Sequence, residues 1–238
     1  HVFDVCRYRP EMSIVLTTGL ANADLRSKLL KEKKDNRKFW DRYAGLYDFE
    51  IDRFNRSGYD EMYKLITAAL PKEMRVLEIA TGTGLIAVNI ADAAAFVEAT
   101  DFSPGMIAAA KKKQVPGNVC FSVADATALS FDADSFDAVI ISNALHIMPD
   151  PRLVLDHIKR VLKPDGILIA PTFSHGHQDS SKKTLNRFIL KLIGFETYSR
   201  WKPEEYVSFI NENGFSVSSW KVIKAAFPLV YLEAAPDI

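Results

Sequence analysis

An apolar run that ends in an acid and two glycines is the first stretch with the residue types for chemistry. Residues 76–84 read VLEIATGTG, with Glu78 inside the run and Gly82 and Gly84 on either side of Thr83. A strand, a glycine turn and a helix start bring backbone N–H groups and a helix N-terminus close to a ligand. The stretch therefore predicts a ligand site at the end of a buried strand.

Two classes of ligand fit this turn. Gly82, Gly84 and Ala87 satisfy the spacing G-x-G-x-x-[GA], and Asp101 ends the next predicted strand, as in NAD-dependent oxidoreductases. Glu78 bears on the choice, because a carboxylate before the glycines would repel a pyrophosphate and attract a cationic amino acid end. No Lys or Arg directly follows Asp101 to receive a 2′-phosphate. Both classes remain open on these residues alone.

Two further positions could take part in a reaction. Trp40, Tyr43 and Tyr47 lie at i, i+3 and i+7, on one face of a predicted helix, where they either pack in the core or form a lid over a site. His146 follows the fourth predicted strand, at the sheet edge where ligands of open α/β folds bind. It could act as a general base, orient a substrate, or only pack in its loop.

The elements that position these residues alternate between strand-like and helix-like segments. The apolar or β-branched runs predict five strands, over residues 75–80, 96–101, 118–123, 136–142 and 166–172. Helical patterns fall between them, including residues 151–162, which begin with Pro151. Strands that alternate with helices predict a parallel sheet covered by helices. Two β-rich runs near the C-terminus, 215–222 and 225–233, predict an antiparallel pair at the sheet edge.

These patterns predict one domain over residues 24–238, preceded by an extension or cloning remnant over residues 1–23. The parts of the domain are expected in chain order, as a helical cap (24–70), a ligand-binding core (71–172), a substrate-side lid (173–203) and a C-terminal helix with a strand pair (204–238).

Four segments, in order, resemble the class I S-adenosylmethionine-dependent methyltransferases, in particular the small-molecule branch that modifies quinones and phospholipids. VLEIATGTG resembles the first motif, acid-x-Gly-x-Gly-x-Gly, with Ala80 where the first glycine usually stands. ATDFSPGMI resembles the second-strand motif, and VADATALSFDADSFDAVIISNALHIMPDP resembles the third and fourth. RVLKPDGILI resembles the turn into the fifth strand.

The resemblance implies a fold and an activity. The fold would be a Rossmann-like α/β domain with a seven-stranded, mostly parallel sheet, an antiparallel C-terminal edge strand and an N-terminal helical cap. The activity would be methyl transfer from S-adenosylmethionine to a small, partly apolar acceptor, which leaves S-adenosylhomocysteine. A non-catalytic protein that kept the cofactor fold is the remaining alternative.

The resemblance also implies site residues. Asp101 would hold both ribose hydroxyls, Asp125 would accept from the adenine amino group, and Asn143 would lie below the reactive methyl. His146 and Tyr47 are the predicted catalytic residues, on opposite sides of that methyl. The predicted cofactor-binding residues are Glu78, Ala80, Gly82, Thr83, Gly84, Asp101, Phe102, Met106, Asp125, Ala126 and Asn143.

Composition limits the partners. Lys plus Arg equal Asp plus Glu at 30 each, so no nucleic acid partner is expected. Cys6 and Cys120 lie far apart, and Cys120 falls in an apolar stretch, which favours a buried thiol and a cytoplasmic protein. No run predicts an integral membrane segment. Residues 185–195 are apolar enough for peripheral lipid contact, and the single H-x-H of His175 and His177 is too weak to predict a metal.

Overall fold

The computed structural model describes residues 37–174 and 197–237. Its helices are α1 (Arg37–Phe54), α2 (Arg56–Ala69), α3 (Leu85–Ile90), α4 (Pro104–Ala110), α5 (Pro151–Val161) and α6 (Pro203–Asn211). Its strands are β1 (Arg75–Ile79), β2 (Phe96–Asp101), β3 (Val119–Val123), β4 (Phe136–Ile141), β5 (Leu162–Ile169), β6 (Thr172–Phe173), β7 (Phe215–Ile223) and β8 (Leu229–Pro236).

The strands form one mixed sheet in the order β3-β2-β1-β4-β5-β8-β6, with β7 paired to β8. Strands β1 to β5 are parallel. Strand β8 runs antiparallel to β5, β6 and β7. The predicted α/β class, with a mostly parallel sheet and an antiparallel C-terminal edge, is therefore confirmed.

The sheet has eight strands where seven were expected, and the difference arises at Pro171. The predicted strand 166–172 ends at Ile169, and the two-residue strand β6 follows at Thr172. Proline has no backbone N–H to donate to a neighbouring strand, so the ladder is interrupted there. Both pieces pair with β8, so the count rises by one while the architecture stays the same.

Apolar side chains fill two clusters that are built from the same strands. Val76 of β1 lies in one cluster and Leu77 lies in the other, because successive side chains of a strand point to opposite faces. Helix α2 contributes Met62 and Ile66 to the first cluster. This two-sided burial explains why the parallel strands read as nearly continuous apolar runs.

Two helices begin with a side-chain N-cap. Ser103 is the N-cap of α4, and its side chain accepts a hydrogen bond from the Met106 backbone N–H. Asp150 is the N-cap of α5, and its Oδ1 accepts from the Leu153 N–H at 3.1 Å. Such caps satisfy backbone donors that have no partner within the helix. They also fix the loops that follow β2 and β4.

Three further expectations concern the cysteines, a membrane segment and the region 175–195. Cys120 is buried on β3, in the apolar stretch where burial was expected. In the part of the chain that the structure describes, no helix is long and apolar enough to span a bilayer. Residues 185–195, together with His175 and His177, lie outside the described residues.

Candidate functional site

The carboxyl ends of β1, β2, β3 and β4 meet at one edge of the sheet, and a cavity of about 360 Å³ opens there. This is the edge at which open α/β sheets bind ligands, and the volume lies in the range of small-molecule sites. The lining residues are Trp40, Tyr47, Ile79, Ala80, Gly82, Asp101, Phe102, Met106, Ala124, Asp125, Ala126, Thr127, Ser142, Asn143, Ala144, Ile147, Met148, Pro149, Asp150 and Tyr198.

The glycine turn after β1 is held in left-handed backbone conformations. Gly82 has φ 57° and Gly84 has φ 77°, both of which glycine adopts without steric cost. A Cβ on Gly84 would also collide with the ring of Phe121 on β3. The second glycine is therefore required for the close packing of α3 against the sheet, while Gly82 faces the cavity.

Ala80 shares the left-handed conformation, with φ 56°. We expect Ala80→Gly to raise the free energy of unfolding by ~0.5–1 kcal/mol, because relief of ~1–2 kcal/mol of Cβ strain exceeds the entropic cost of a glycine. Denaturant unfolding measures the change. As a matched control, Ala87→Gly in the interior of α3 should destabilise by about 1 kcal/mol. Equal destabilisation by both changes would contradict the strained backbone at residue 80.

Asp101 is the polar centre of the turn region. Its Oδ2 accepts from the Gly82 N–H at 2.8 Å, and its Oδ1 accepts from the Ser103 N–H at 2.9 Å. The side chain is 7% exposed and lines the cavity. Burial raises the pKa of Asp101 to about 6, against the opposing effect of the two N–H donors. The carboxylate is thus pre-oriented and, above that pKa, charged at the cavity wall.

Asp125 and its neighbours form the part of the wall that follows β3. Asp125 Oδ1 accepts from the Thr127 N–H at 2.9 Å and from the Thr127 hydroxyl at 2.7 Å, so the side chain closes a tight turn. Ala126 lines the cavity in this turn, while Phe102 and Met106 line it after β2. Four of the predicted cofactor-binding residues thus share a largely apolar recess with a carboxylate at its rim.

Three of the predicted cofactor-binding residues do not line the cavity that the described residues enclose. Glu78 is 1% exposed, and burial raises its pKa to about 8, partly offset by the Thr81 hydroxyl and the Ala87 amide. Thr83 is 1% exposed, and its hydroxyl donates to Asp48 Oδ1. Together with Gly84 they support the turn from behind. Glu78 therefore does not present the carboxylate that was expected to select the ligand.

The cavity nevertheless has the electrostatic character expected from Glu78. Among the described residues that line it, the charged ones are Asp101, Asp125 and Asp150, and none is a Lys, Arg or His. Carboxylates attract a cation and repel a phosphate at close range. These three carboxylates therefore fit a ligand with hydroxyl groups, an amino group and a positive charge, and they do not fit a pyrophosphate.

Tyr47 reaches the cavity from α1 and belongs to a buried chain of hydrogen bonds. Asn143 Nδ2 donates to Tyr59 Oη at 3.1 Å, and Tyr59 Oη lies 3.2 Å from Tyr47 Oη. Burial raises the pKa of both tyrosines, so both keep their protons. Tyr59 is 3% exposed and lies between Asn143 and Tyr47, so the three side chains form one connected chain. The Tyr47 hydroxyl is the end of this chain that lines the cavity.

Asn143 contributes a second polar group to the same wall. It adopts φ 52°, a left-handed conformation that Asn tolerates better than most residues. Its Oδ1 is buried and has no hydrogen-bond partner among residues 37–174 and 197–237. A buried acceptor without a partner is costly, so this oxygen is suited to a donor supplied by a ligand.

The structure brings His146 close to the site but not onto the cavity wall. The side chain is 7% exposed, and its Nδ1 lies 3.1 Å from Thr172 Oγ1. Its backbone carbonyl accepts from the N–H groups of Tyr198 and Ser199 at 2.9 and 3.0 Å. The bonds at its own backbone thus hold the segment that carries Tyr198, which does line the cavity.

Sequence reasoning missed part of the wall. Met148, Pro149 and Asp150 line the cavity after β4, and Tyr198 lines it from an irregular segment. Pro151 indicated a helix start, but it did not indicate that the loop before the helix faces a ligand. Tyr198 has no local signal, because it lies outside the four motif-like segments.

Comparison with known proteins gives the same answer as the geometry. Residues 77–170 match the family described as the methyltransferase domain. A demethylmenaquinone methyltransferase of Renibacterium salmoninarum is 32% identical over 186 residues, which cover 76% of this chain and 77% of that protein. The chain belongs to the class I S-adenosylmethionine-dependent methyltransferases. The alternative of an NAD-dependent oxidoreductase is not favoured.

Further relatives of this methyltransferase agree in family and in fold. A demethylmenaquinone methyltransferase of Clavibacter sepedonicus is 35% identical over 154 residues, 63% of this chain and 62% of that protein. The solved structure of DhpI with S-adenosylhomocysteine superimposes with a TM-score of 0.66 at 19% identity, over 85% of this chain and 95% of that one. The structural likeness at this identity supports the fold alone.

Proposed function

We propose that this methyltransferase adds a methyl group to a ring carbon of a reduced, apolar quinone. The observation that carries the proposal is the composition of the cavity wall. Carboxylates suited to the methyl donor share the wall with Trp40, Ile147, Met148 and Tyr198, which suit a flat apolar acceptor. Two curated relatives at 32% and 35% identity are demethylmenaquinone methyltransferases, which supports the same class of acceptor.

Asp101 and Asp125 are the residues that we propose for the adenosine half of the methyl donor. The Asp101 carboxylate, fixed by two backbone N–H groups, is placed to accept from ribose hydroxyls. Asp125 is placed to accept from an adenine amino group, with Ala126, Phe102 and Met106 around the ring. When bound, S-adenosylmethionine supplies a methyl group on a sulfonium, which is displaced in line by a nucleophile.

Glu78, Thr83 and Gly84 act indirectly in this proposal. They keep the backbone of the turn in place, while Ala80 and Gly82 face the amino acid end of the donor. Asn143 Oδ1, which has no partner in the described part of the chain, is available to a donor group of either ligand. The Tyr47 hydroxyl lines the cavity and is placed to hydrogen-bond an oxygen of the acceptor.

The acceptor must be reduced for this chemistry. A quinone ring carbon is poor in electrons, whereas the same carbon of a quinol, next to a hydroxyl, is nucleophilic. In the transfer a carbon–carbon bond forms as the carbon–sulfur bond of the donor breaks, S-adenosylhomocysteine leaves as a neutral thioether, and the proton of the ring carbon passes to water. Since the leaving group is already activated, the chain must mainly align the carbon and exclude water. The position of His146 behind the wall suits a role in holding the Tyr198 segment; its role as a base stays a prediction.

The test is turnover of a naphthoquinone that lacks the ring methyl group, given with S-adenosylmethionine. We expect S-adenosylhomocysteine and methylated product with the chemically reduced acceptor, and none with the oxidised form. Trp40→Ala should raise the KM for the acceptor by about 10-fold, because a large aromatic contact is lost. The control is Trp220→Ala, on the exposed face of β7. Donor binding without turnover of the reduced naphthoquinone would reject this class of acceptor.

A further inference from the structure

Two residues that form the cavity wall, Trp40 and Tyr47, lie on helix α1, which is not part of the sheet. Their places at the cavity depend on how α1 is held against the loops that follow β1 and β2. Each of the two aromatic residues is followed directly by an aspartate, Asp41 or Asp48. The two acids are seven residues apart, two helical turns, so they project from the same side of α1.

Asp41 fastens α1 to the turn after β2. Its Oδ1 accepts from the Ser103 hydroxyl at 2.6 Å and from the Gly105 N–H at 3.0 Å. Ser103 is also the residue whose N–H donates to Asp101 at 2.9 Å. Asp41 and Asp101 therefore hold the same turn, one from the helix and one from the cavity.

Asp48 fastens α1 to the glycine turn. Its Oδ1 accepts from the hydroxyl of Thr83, which lies between Gly82 and Gly84, and its Oδ2 lies 2.6 Å from Lys113 Nζ. The Asp48 side chain is 37% exposed and that of Lys113 is 25% exposed. An ion pair at this exposure adds little to global stability by itself. Because the same carboxylate also binds Thr83 of the glycine turn, the ion pair serves to hold α1 against that turn.

The backbone at Gly105 shows how closely α1 approaches. A Cβ at this position would lie 2.8 Å from Asp41 Cα and 3.0 Å from the Asp41 carbonyl oxygen. Real Cβ atoms do not approach backbone so closely, so any larger residue at position 105 would force α1 away from the turn. The closest backbone approach of α1 and the hydrogen bonds of Asp41 therefore both lie at the turn that contains Gly105.

We propose that Asp41 and Asp48 are positioning residues that latch α1 onto the turns after β2 and β1, and so hold Trp40 and Tyr47 at the cavity. The inference rests on the proposed placement of the methyl donor between those turns. Because α1 covers the donor in this arrangement, the latch slows its release. Through these two acids, the positions of Trp40 and Tyr47 depend on the loops that carry Asp101 and the glycines.

The test measures the dissociation rate of S-adenosylhomocysteine by stopped-flow displacement. Asp41→Ala and Asp48→Ala should each raise the rate by about 10-fold, the scale of one lost charge-assisted hydrogen bond. Asp41→Asn, which keeps an acceptor for Ser103 and Gly105, should restore most of the loss. Gly105→Ala should match Asp41→Ala although it removes no carboxylate. The matched control is Asp52→Ala, a 70% exposed acid on the same helix, which should leave the rate unchanged.

The outcomes separate the latch from the proposed function. If the unaltered protein releases S-adenosylhomocysteine slowly and the Asp41, Asp48 and Gly105 variants do so at the same rate, the latch is wrong and the donor site stands. If the unaltered protein does not bind S-adenosylhomocysteine, both are overturned. Circular dichroism melts verify that each variant is folded. If Asp52→Ala also released S-adenosylhomocysteine faster, the cause would be a general loosening of α1, and the latch would be overturned.

Discussion

Replacing Asp101 by alanine is expected to weaken the binding of S-adenosylhomocysteine by at least 100-fold. Two charge-assisted hydrogen bonds to ribose hydroxyls, worth ~1.5–3 kcal/mol each, would be lost. The Gly82 and Ser103 N–H groups would lose their partner as well, so the turn would be less ordered before binding. Isothermal titration of the variant against the unaltered protein measures the change in Kd.

The same carboxylate predicts the pH dependence of donor binding. Burial raises the pKa of Asp101 to about 6, and ribose hydroxyls bind best to the ionised form. Affinity should therefore be full above that pH and fall as the pH is lowered through it. The control is Asp92→Ala, an exposed acid that does not line the cavity. Unchanged affinity in Asp101→Ala, or binding of NADH in place of the methyl donor, would contradict the proposed site.

Tyr47→Phe is expected to lower kcat by about 10-fold or more, with the affinity for S-adenosylhomocysteine kept within a factor of a few. The change removes only the hydroxyl, which stands at the cavity end of the Asn143–Tyr59–Tyr47 chain and is placed to hold an oxygen of the acceptor in line with the methyl donor. Tyr59→Phe should lower kcat in the same direction, because it frees the Tyr47 hydroxyl to rotate and leaves the Asn143 amide with only the longer bond to Ser142 Oγ at 3.3 Å. Steady-state kinetics with the reduced acceptor separates kcat from KM.

Two variants serve as comparisons for the tyrosine pair. Tyr63→Phe removes a hydroxyl from a ring that packs on Tyr59 at 5.9 Å and does not line the cavity, and it should leave kcat unchanged. His146→Ala keeps the backbone carbonyl that holds the Tyr198 segment and removes only the ring contacts with Thr172 and Phe173, so kcat and the KM for the acceptor should each change by about 3-fold or less. A fall in kcat of about 100-fold in His146→Ala would instead restore the histidine as a proton acceptor. Normal kcat in Tyr47→Phe would reduce that tyrosine to a packing residue.

The order of the helices and strands was predictable because each one depends on a pattern of neighbouring residues. Each parallel strand is buried on both faces and so reads as a short apolar run, and Pro151 marks a helix start because its fixed φ suits the first helical position. The same holds for the glycine turn and for Asp101 at the end of β2, since parallel strands bring their carboxyl ends to one edge. The sequence alone thus predicted the fold class, the edge at which the site lies and the acid that is fixed by two N–H groups.

Only the tertiary structure decided which polar side chains reach the cavity. Glu78 follows the same pattern as Asp101, yet the turn folds over it and leaves it buried behind the wall. His146 lies in the right loop, but its ring lies beside Thr172 and Phe173 and does not line the cavity, while Tyr198 arrives from a segment far along the chain. The contacts of Asp41 and Asp48 with the turns after β2 and β1 follow from where helix α1 docks. Side-chain direction and long-range contact depend on packing between distant segments, and no local spacing encodes them.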